Sequence, residues 1–207
     1  MPHDSDLTGA LARTRAWVEQ AVIGLNLCPY AKAPQDRGLV RYALCETDDP
    51  AQLLACLVAE LRLLAGSAPE QTETTLLVHP NVLNDFADFN DFLDLADAAV
   101  LDEGLEGVLQ VASFHPQYQF ADCAADDIAN ATNRAPHPTL HLLREESVSR
   151  AVDALGDGSA IYEANIAALT RLGPAGWATL QRRWLDPAPD EAQGRAPENG
   201  APPRGSP

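Results

Sequence analysis

The sequence predicts an α/β (α+β) fold: a single compact domain in which helices cover a small mixed sheet of three to four strands. Two apolar strand-like stretches, 74–78 and 108–114, flank a helical pattern over 84–103 that Gly104 is expected to end. This order is typical of a parallel βαβ unit with a right-handed crossover. The hydrophobic fraction of 46% is ample for one core, and about 180 ordered residues is a usual size for one domain.

The N-terminal part is predicted to hold a helix, a strand and a second helix. Apolar residues recur at helical spacing over 7–25, and alternating side chains over 40–45 indicate a strand. The second helix begins at Asp49-Pro50, because Asp can cap free backbone N–H groups and Pro has the φ of a first helical turn. We expect Gly66 to end this helix in the left-handed conformation.

The C-terminal part is predicted to hold a long loop, a fourth strand and further helices. Residues 115–138 are mostly loop, and a long loop inside a compact domain is often functional. A fourth strand is expected over 139–143, with its direction left open. The segment 186–207 has no Val, Ile, Leu, Met or aromatic residue, so we expect a disordered tail after a domain that spans 1–185 and is frayed at its first seven residues.

The charge of the chain excludes several classes of partner. Its net charge is -16, with 14 Lys and Arg against 30 Asp and Glu, which argues against nucleic acid and anionic membranes. No apolar run approaches the roughly 20 residues that span a bilayer, and no signal peptide is visible at the N-terminus. Four widely spaced cysteines without a C-x-x-C pair indicate free thiols. We therefore expect a cytoplasmic protein.

Histidines follow two of the predicted strands. His79-Pro80 and His115-Pro116 each come directly after an apolar run. If the strands are parallel, both side chains emerge at the sheet edge where ligands of open α/β sheets bind. His79 is more readily explained as a simple end of a strand. For His115, which opens the long loop, a functional role and a structural role stay equally open.

A polar segment follows the loop. Arg134 has a planar guanidinium suited to a carboxylate or phosphate, so a small anionic molecule is the expected ligand. His141 lies in an apolar run, as either a buried core histidine or a functional one. If the strand over 139–143 is antiparallel to the one ending at His115, Arg134 lies beside His115. If it is parallel, Arg144 and Glu145 do.

Cys28 has two possible roles. Its Cys-Pro-Tyr-Ala segment resembles the monothiol motif of glutaredoxin-like proteins, but Cys28 follows a helix rather than a strand, which favours a structural thiol. A nucleophile or ligand role near His115 stays open. No nucleotide-binding motif, H-E-x-x-H or C-x-x-C is present, so a cofactor is unassigned and a metal could be held only by distant ligands that converge.

Several long motifs, in order, resemble one family, the bacterial and plastid domain of unknown function 1415. The resemblance spans about 14–172 and implies a compact single domain, without an activity to transfer. It places Cys28, His115, Tyr118, Asn133, Arg134 and His141 in the family pattern, whereas the position of His137 usually holds an aromatic ring. The motifs are GLNLCPYAK at 24–32, TTLLVHPNVLNDFADFNDFLDLAD at 74–97, GLEGVLQVASFHPQYQF at 104–120 and TNRAPHPTLHLLREESV at 132–148.

These observations favour a small-molecule enzyme whose site lies at the sheet edge under the 115–138 loop. An imidazole would serve as general acid or base, because it titrates near neutrality. The alternative is a non-catalytic binding or assembly protein in which the polar motif is a structural staple. The predicted site comprises the catalytic residues His115, His141 and Cys28 and the substrate-binding residues Tyr118, Asn133, Arg134 and Glu145.

Overall fold

A four-stranded mixed sheet lies between two groups of helices in the computed structural model, which describes residues 4–155 and 158–185. The predicted tail over 186–207 lies outside the described residues. The strands are β1 Val40–Leu44, β2 Thr74–Val78, β3 Leu109–Phe114 and β4 Thr139–Arg144. The helices are α1 Asp4–Trp17, which continues as a π-helical turn Val18–Ile23, α2 Lys32–Asp36, α3 Pro50–Gly66, α4 Phe86–Asp102, a 3₁₀ helix Ile128–Asn133, α5 Glu145–Leu155 and α6 Gly158–Leu185.

The strand order is β1-β2-β4-β3, which confirms a single compact α+β domain with a mixed sheet. β1 and β2 are parallel neighbours joined through α3. β4 is antiparallel to both β2 and β3, so β2 and β3 run in the same direction, as predicted, but do not pair. In the predicted parallel unit, β4 is therefore inserted between β2 and β3. The parallel strands that are hydrogen-bonded neighbours are β1 and β2.

The predicted start of α3 at Asp49-Pro50 and its predicted last residue, Gly66, are confirmed, whereas the predicted left-handed conformation of Gly66 is wrong. The Asp49 carboxylate accepts the Ala51 N–H at 2.9 Å, and Pro50 is the first helical residue. Gly66 remains inside the helix and is not left-handed, and Ser67 follows in an extended conformation with φ of -94°. A left-handed residue is unnecessary there because another segment of the chain caps this helix end.

That cap is Arg144, at the end of β4. Its Nη2 lies within hydrogen-bond distance of the carbonyl oxygens of Leu64, Ser67 and Thr72, at 2.8, 2.7 and 3.0 Å. The guanidinium thereby adds hydrogen bonds at the C-terminal end of α3, where helix carbonyl groups lack intrahelical partners, and to the segment that follows it. It also joins α3 to the sheet.

α4 begins at a side-chain cap and ends at the predicted glycine. The Asp85 side chain accepts the N–H groups of Ala87 and Asp88, and Gly104 has the predicted left-handed φ of 68°. Phe89 and Ala96 are buried in the core, and Phe86 and Leu93 pack against it while partly exposed. The acidic residues that recur every third position are exposed: Asp85, Asp88, Asp91, Asp94 and Asp97.

The sheet separates two apolar cores. Leu77, Leu140 and Leu142 face α3 and α4 on one side. Leu76 and Phe114 point to the other side, where they pack with residues of α1 and α6. Because successive residues of a strand point to opposite faces, this division decides which candidate side chains can meet.

Candidate functional site

A cavity of about 290 Å³ lies on the face of the sheet that α3 and α4 do not cover. Its floor consists of alternate residues from the four strands. The end of α1, the π-helical turn, the segment 28–34 and the start of α5 form its other walls. Most of its lining side chains are apolar, among them Trp17, Val18, Val22, Val40, Leu76 and Phe114.

The π-helical turn shapes one wall of this cavity. It presents Val18 and Val22 to the interior. The chain then leaves the helix at Gly24, where a Cβ atom would collide with the backbone carbonyl oxygen of Gln20, so only glycine fits this exit. π-Helical turns are rare and occur often at functional sites.

His141 provides a hydrogen-bonding group on the cavity floor. Its Nε2 lies 2.7 Å from Oγ1 of Thr74, and that hydroxyl donates its only proton to the carbonyl oxygen of Leu142 at 2.6 Å. The hydroxyl must therefore accept from His141, so Nε2 carries the imidazole proton. Nδ1 is left with a lone pair and has no partner among the described residues.

The imidazole of His141 is neutral at physiological pH. Burial disfavours the charged form and lowers the pKa of His141 to about 4. A neutral ring with a bare Nδ1 accepts a hydrogen bond from a ligand readily. Because its conjugate acid is strong, the same ring is a weak proton acceptor.

Cys28 and Tyr30 line the same cavity. Burial raises the pKa of the Cys28 thiol, although the backbone N–H groups of Tyr30 and Ala31 point to the sulfur and oppose this shift. The thiol is therefore protonated near neutral pH. The Tyr30 hydroxyl and the Trp17 indole N–H are buried without a hydrogen-bond partner in the described structure, which is unusual for buried polar groups.

A polar cleft adjoins the apolar cavity. The two share Glu73, Arg144 and Ser147 in their walls. The cleft adds further charged side chains of both signs, including Arg37 and Arg150. An apolar chamber thus opens beside a charged surface, an arrangement suited to a molecule with an apolar body and a polar end.

His115 lies on the opposite face of the sheet from His141. Phe114 pairs with Thr139 and Ala112 with His141, so these residues share one face and His115, next to Phe114, points to the other. His115 is fully buried, 5.1 Å from the Phe89 ring between centroids. The structure does not bring His115 and His141 together.

Both ring nitrogens of His115 have backbone partners. Nε2 lies 3.2 Å from the carbonyl oxygen of Leu83, and Nδ1 accepts the Gln117 N–H at 3.0 Å. Burial lowers the pKa of His115. His79 is its neighbour on the same face and stacks on Phe89, with Nδ1 3.1 Å from the carbonyl oxygen of Val82. Neither ring nitrogen of His115 is therefore available to a ligand in this structure. The catalytic role of His115 stays a prediction.

The polar motif before β4 holds the long loop to the sheet. Arg134 donates from Nε to the Tyr118 carbonyl oxygen at 3.1 Å and from Nη2 to the Ala125 carbonyl oxygen at 2.7 Å. The Asn133 amide donates to the Ser113 carbonyl oxygen at 3.1 Å. Because β4 is antiparallel to β3, these residues lie at the edge where β3 ends. The donors that were expected to hold a substrate thus bind backbone.

The structure divides the predicted site residues into two groups. His141 and Cys28 line the cavity, whereas His115, Tyr118, Asn133, Arg134 and Glu145 do not. Tyr118 packs on Phe86, and Glu145 begins α5, where its N–H donates to the Val108 carbonyl oxygen. Three polar or aromatic residues that line the cavity were not predicted from the sequence: Trp17, Tyr30 and Thr74. Only Tyr30 had a usable signal, as the neighbour of Cys28-Pro29 in a motif of the family.

The described residues contain neither a cluster of metal-binding side chains nor a membrane-spanning helix. No group of three or more His, Cys, Asp or Glu side chains there could hold a metal ion. No helix in the same ranges is long and apolar enough to cross a membrane.

One protein-family model matches this chain. The profile described as Protein of unknown function (DUF1415) matches residues 9–179. The chain belongs to this family. The match covers most of the chain and includes most of α1, the whole sheet and most of α6, so the cavity lies within the shared region. Neither the curated proteins nor the solved structures give a match.

Proposed function

We propose that this protein binds a small organic molecule with an apolar body and a hydrogen-bond donor in the cavity between the sheet and α1. The observation that carries the proposal is a bare imidazole nitrogen on the floor of an otherwise mainly apolar chamber. The neutral Nε2–H form of His141, held by Thr74, offers Nδ1 as an acceptor. Apolar walls with a few placed polar groups are typical of small-molecule sites.

The volume of the cavity sets the size of the ligand. A cavity of about 150 Å³ lined by apolar side chains can hold benzene. The present cavity, at about 290 Å³, suits a molecule of two fused rings or its aliphatic equivalent. A polar end could extend into the adjoining cleft, past Glu73 and Ser147.

Binding is better supported than proton-transfer catalysis. A base whose conjugate acid has a pKa of about 4 is poorly matched to chemistry at neutral pH, and the Cys28 thiol is held protonated. The hydrogen bonds of Arg134 and Asn133 to backbone also favour the structural-staple interpretation of the polar motif. An enzyme site centred on His115 and Arg134 under the loop stays a prediction with less support.

The experiment compares two ligands of nearly equal shape. Indole has an N–H donor and benzofuran has none. We expect indole to bind more tightly than benzofuran by about tenfold, the equivalent of one net hydrogen bond. Dissociation constants are measured by ligand-observed NMR titration. In His141→Phe, the acceptor is lost while a ring remains, so the two ligands should bind equally.

His137→Phe is the matched control. His137 lies outside the cavity lining, bonded to Arg13 at 3.0 Å, so the preference for indole should survive. Absence of binding of either ligand up to millimolar concentration would overturn the cavity proposal. Equal affinities in the wild type would remove the role of His141.

A further inference from the structure

Two cysteines outside the cavity lie in contact with each other. Cys45 directly follows β1, and its N–H donates to the Val78 carbonyl oxygen at 2.8 Å, which extends the pairing with β2. Cys56 lies in α3 beside Leu57, which is fully buried. The Sγ atoms of Cys45 and Cys56 are 2.7 Å apart, and both cysteines are free thiols in the structure.

The contact is closer than non-bonded sulfur atoms ordinarily approach. The separation is within an ångström of the disulfide bond length of about 2.05 Å. An approach of the two sulfur atoms by less than 1 Å would bring them to bonding distance. Among the described residues, no third His, Cys, Asp or Glu completes a metal site with them, so the pair lacks the donor set of a structural zinc site.

We propose that Cys45 and Cys56 form a modification site, which a low-molecular-weight disulfide oxidises to an intramolecular disulfide. In the first step the Cys56 sulfur attacks the reagent, R–S–S–R, to give a mixed disulfide and release one R–SH. In the second step the Cys45 sulfur attacks the Cys56 sulfur, and the second R–SH departs with the Cys45 proton. The two cysteines are oxidised together, and one reagent molecule is reduced to two thiols.

The exposure of the two side chains determines which cysteine reacts with the reagent first and which one then closes the disulfide. Cys56 is partly exposed, so a small reagent reaches it, whereas Cys45 is only 2% exposed. Burial, and then the hydrogen bond with Cys56, raises the pKa of the Cys45 thiol, and burial also keeps reagents in solution away from this sulfur. It reacts only when an activated sulfur is placed against it, as in the mixed disulfide on Cys56.

The test uses the folded full-length chain and oxidised glutathione. After treatment, unfolding and alkylation, we expect the peptide 42–62 to carry neither an alkyl group nor glutathione, and to be lighter by two hydrogen atoms than the reduced peptide. Trypsin leaves both cysteines in that peptide, and cleavage after Glu46 should then leave two fragments linked by the disulfide. Dithiothreitol should restore all four thiols.

Single substitutions distinguish this site from general oxidation. In Cys45→Ala, glutathione should remain attached to Cys56, because the second sulfur is missing. In Cys56→Ala, Cys45 should stay reduced. Cys28→Ala and Cys123→Ala are matched controls and should form the disulfide as the wild type does. Four alkylated thiols after treatment, or a disulfide that includes Cys28 or Cys123, would overturn the proposal.

Discussion

Replacement of Arg134 by Ala separates a structural staple from a ligand-binding arginine. The guanidinium makes two hydrogen bonds to backbone carbonyl oxygens, of Tyr118 and Ala125. A hydrogen bond from a charged group contributes about 1.5–3 kcal/mol, but Arg134 is partly exposed, so water replaces some of this in the variant. We therefore expect a loss of about 2 kcal/mol in the free energy of unfolding, with the Tm lowered by about 4–8 °C.

Urea denaturation followed by far-UV circular dichroism measures this loss. Arg37→Ala is the matched control, since Arg37 is exposed and has no side-chain partner among the described residues, and its effect should stay within about 0.5 kcal/mol. In Arg134→Lys we expect an intermediate loss, because one ammonium group cannot span both carbonyls as the planar fork does. An Arg134→Ala variant as stable as the wild type would refute the staple and return Arg134 to the candidate ligand-binding residues.

Three further predictions concern stability. Burial lowers the pKa values of His79 and His141 from 6.5 to about 4. The contribution of these two neutral imidazoles to the free energy of unfolding should be complete above about pH 6.5 and lost as the pH falls toward 4. A free energy of unfolding that does not change between about pH 6.5 and 4 would contradict this prediction. Asp49→Ala removes the cap of α3 and should cost about 1 kcal/mol by urea denaturation, whereas no change would show the cap to be dispensable. Gly24→Ala should cost about 1–3 kcal/mol because its Cβ would collide with backbone, whereas Gly66→Ala, in open space, should stabilise by about 0.4–1 kcal/mol. Equal effects of the two glycine substitutions would be inconsistent with this reasoning.

Local signals predicted the elements of this fold better than their arrangement. Asp49-Pro50 and Gly104 are helix signals that act within a few residues, and both work as predicted. The insertion of β4 between β2 and β3 depends on pairing between residues about 25 to 70 positions apart, which no local pattern encodes. The left-handed conformation predicted for Gly66 was wrong for the same reason, since Arg144, a distant residue, supplies the cap of α3.

The candidate site could be predicted only in part because the sequence does not say which face of the sheet each side chain takes. His141 and Cys28 were selected and do line the cavity. His115 was selected for its place at a strand end, where the structure has it, but α4 covers that face with Phe86 and Phe89. Trp17 was missed because an aromatic residue at helical spacing looks like any other core residue.

The proposed ligand binding requires that Nδ1 of His141 be unprotonated, and NMR can measure the protonation state of this ring. Long-range ¹H–¹⁵N NMR of the imidazole distinguishes a protonated nitrogen from one with a lone pair. We expect a neutral ring at pH 7, with the proton on Nε2 and an unprotonated Nδ1 whose ¹⁵N resonance shifts when indole is added and stays nearly unchanged with benzofuran. A proton on Nδ1, a charged imidazolium at pH 7, or an Nδ1 resonance that ignores indole at saturating concentration would contradict it.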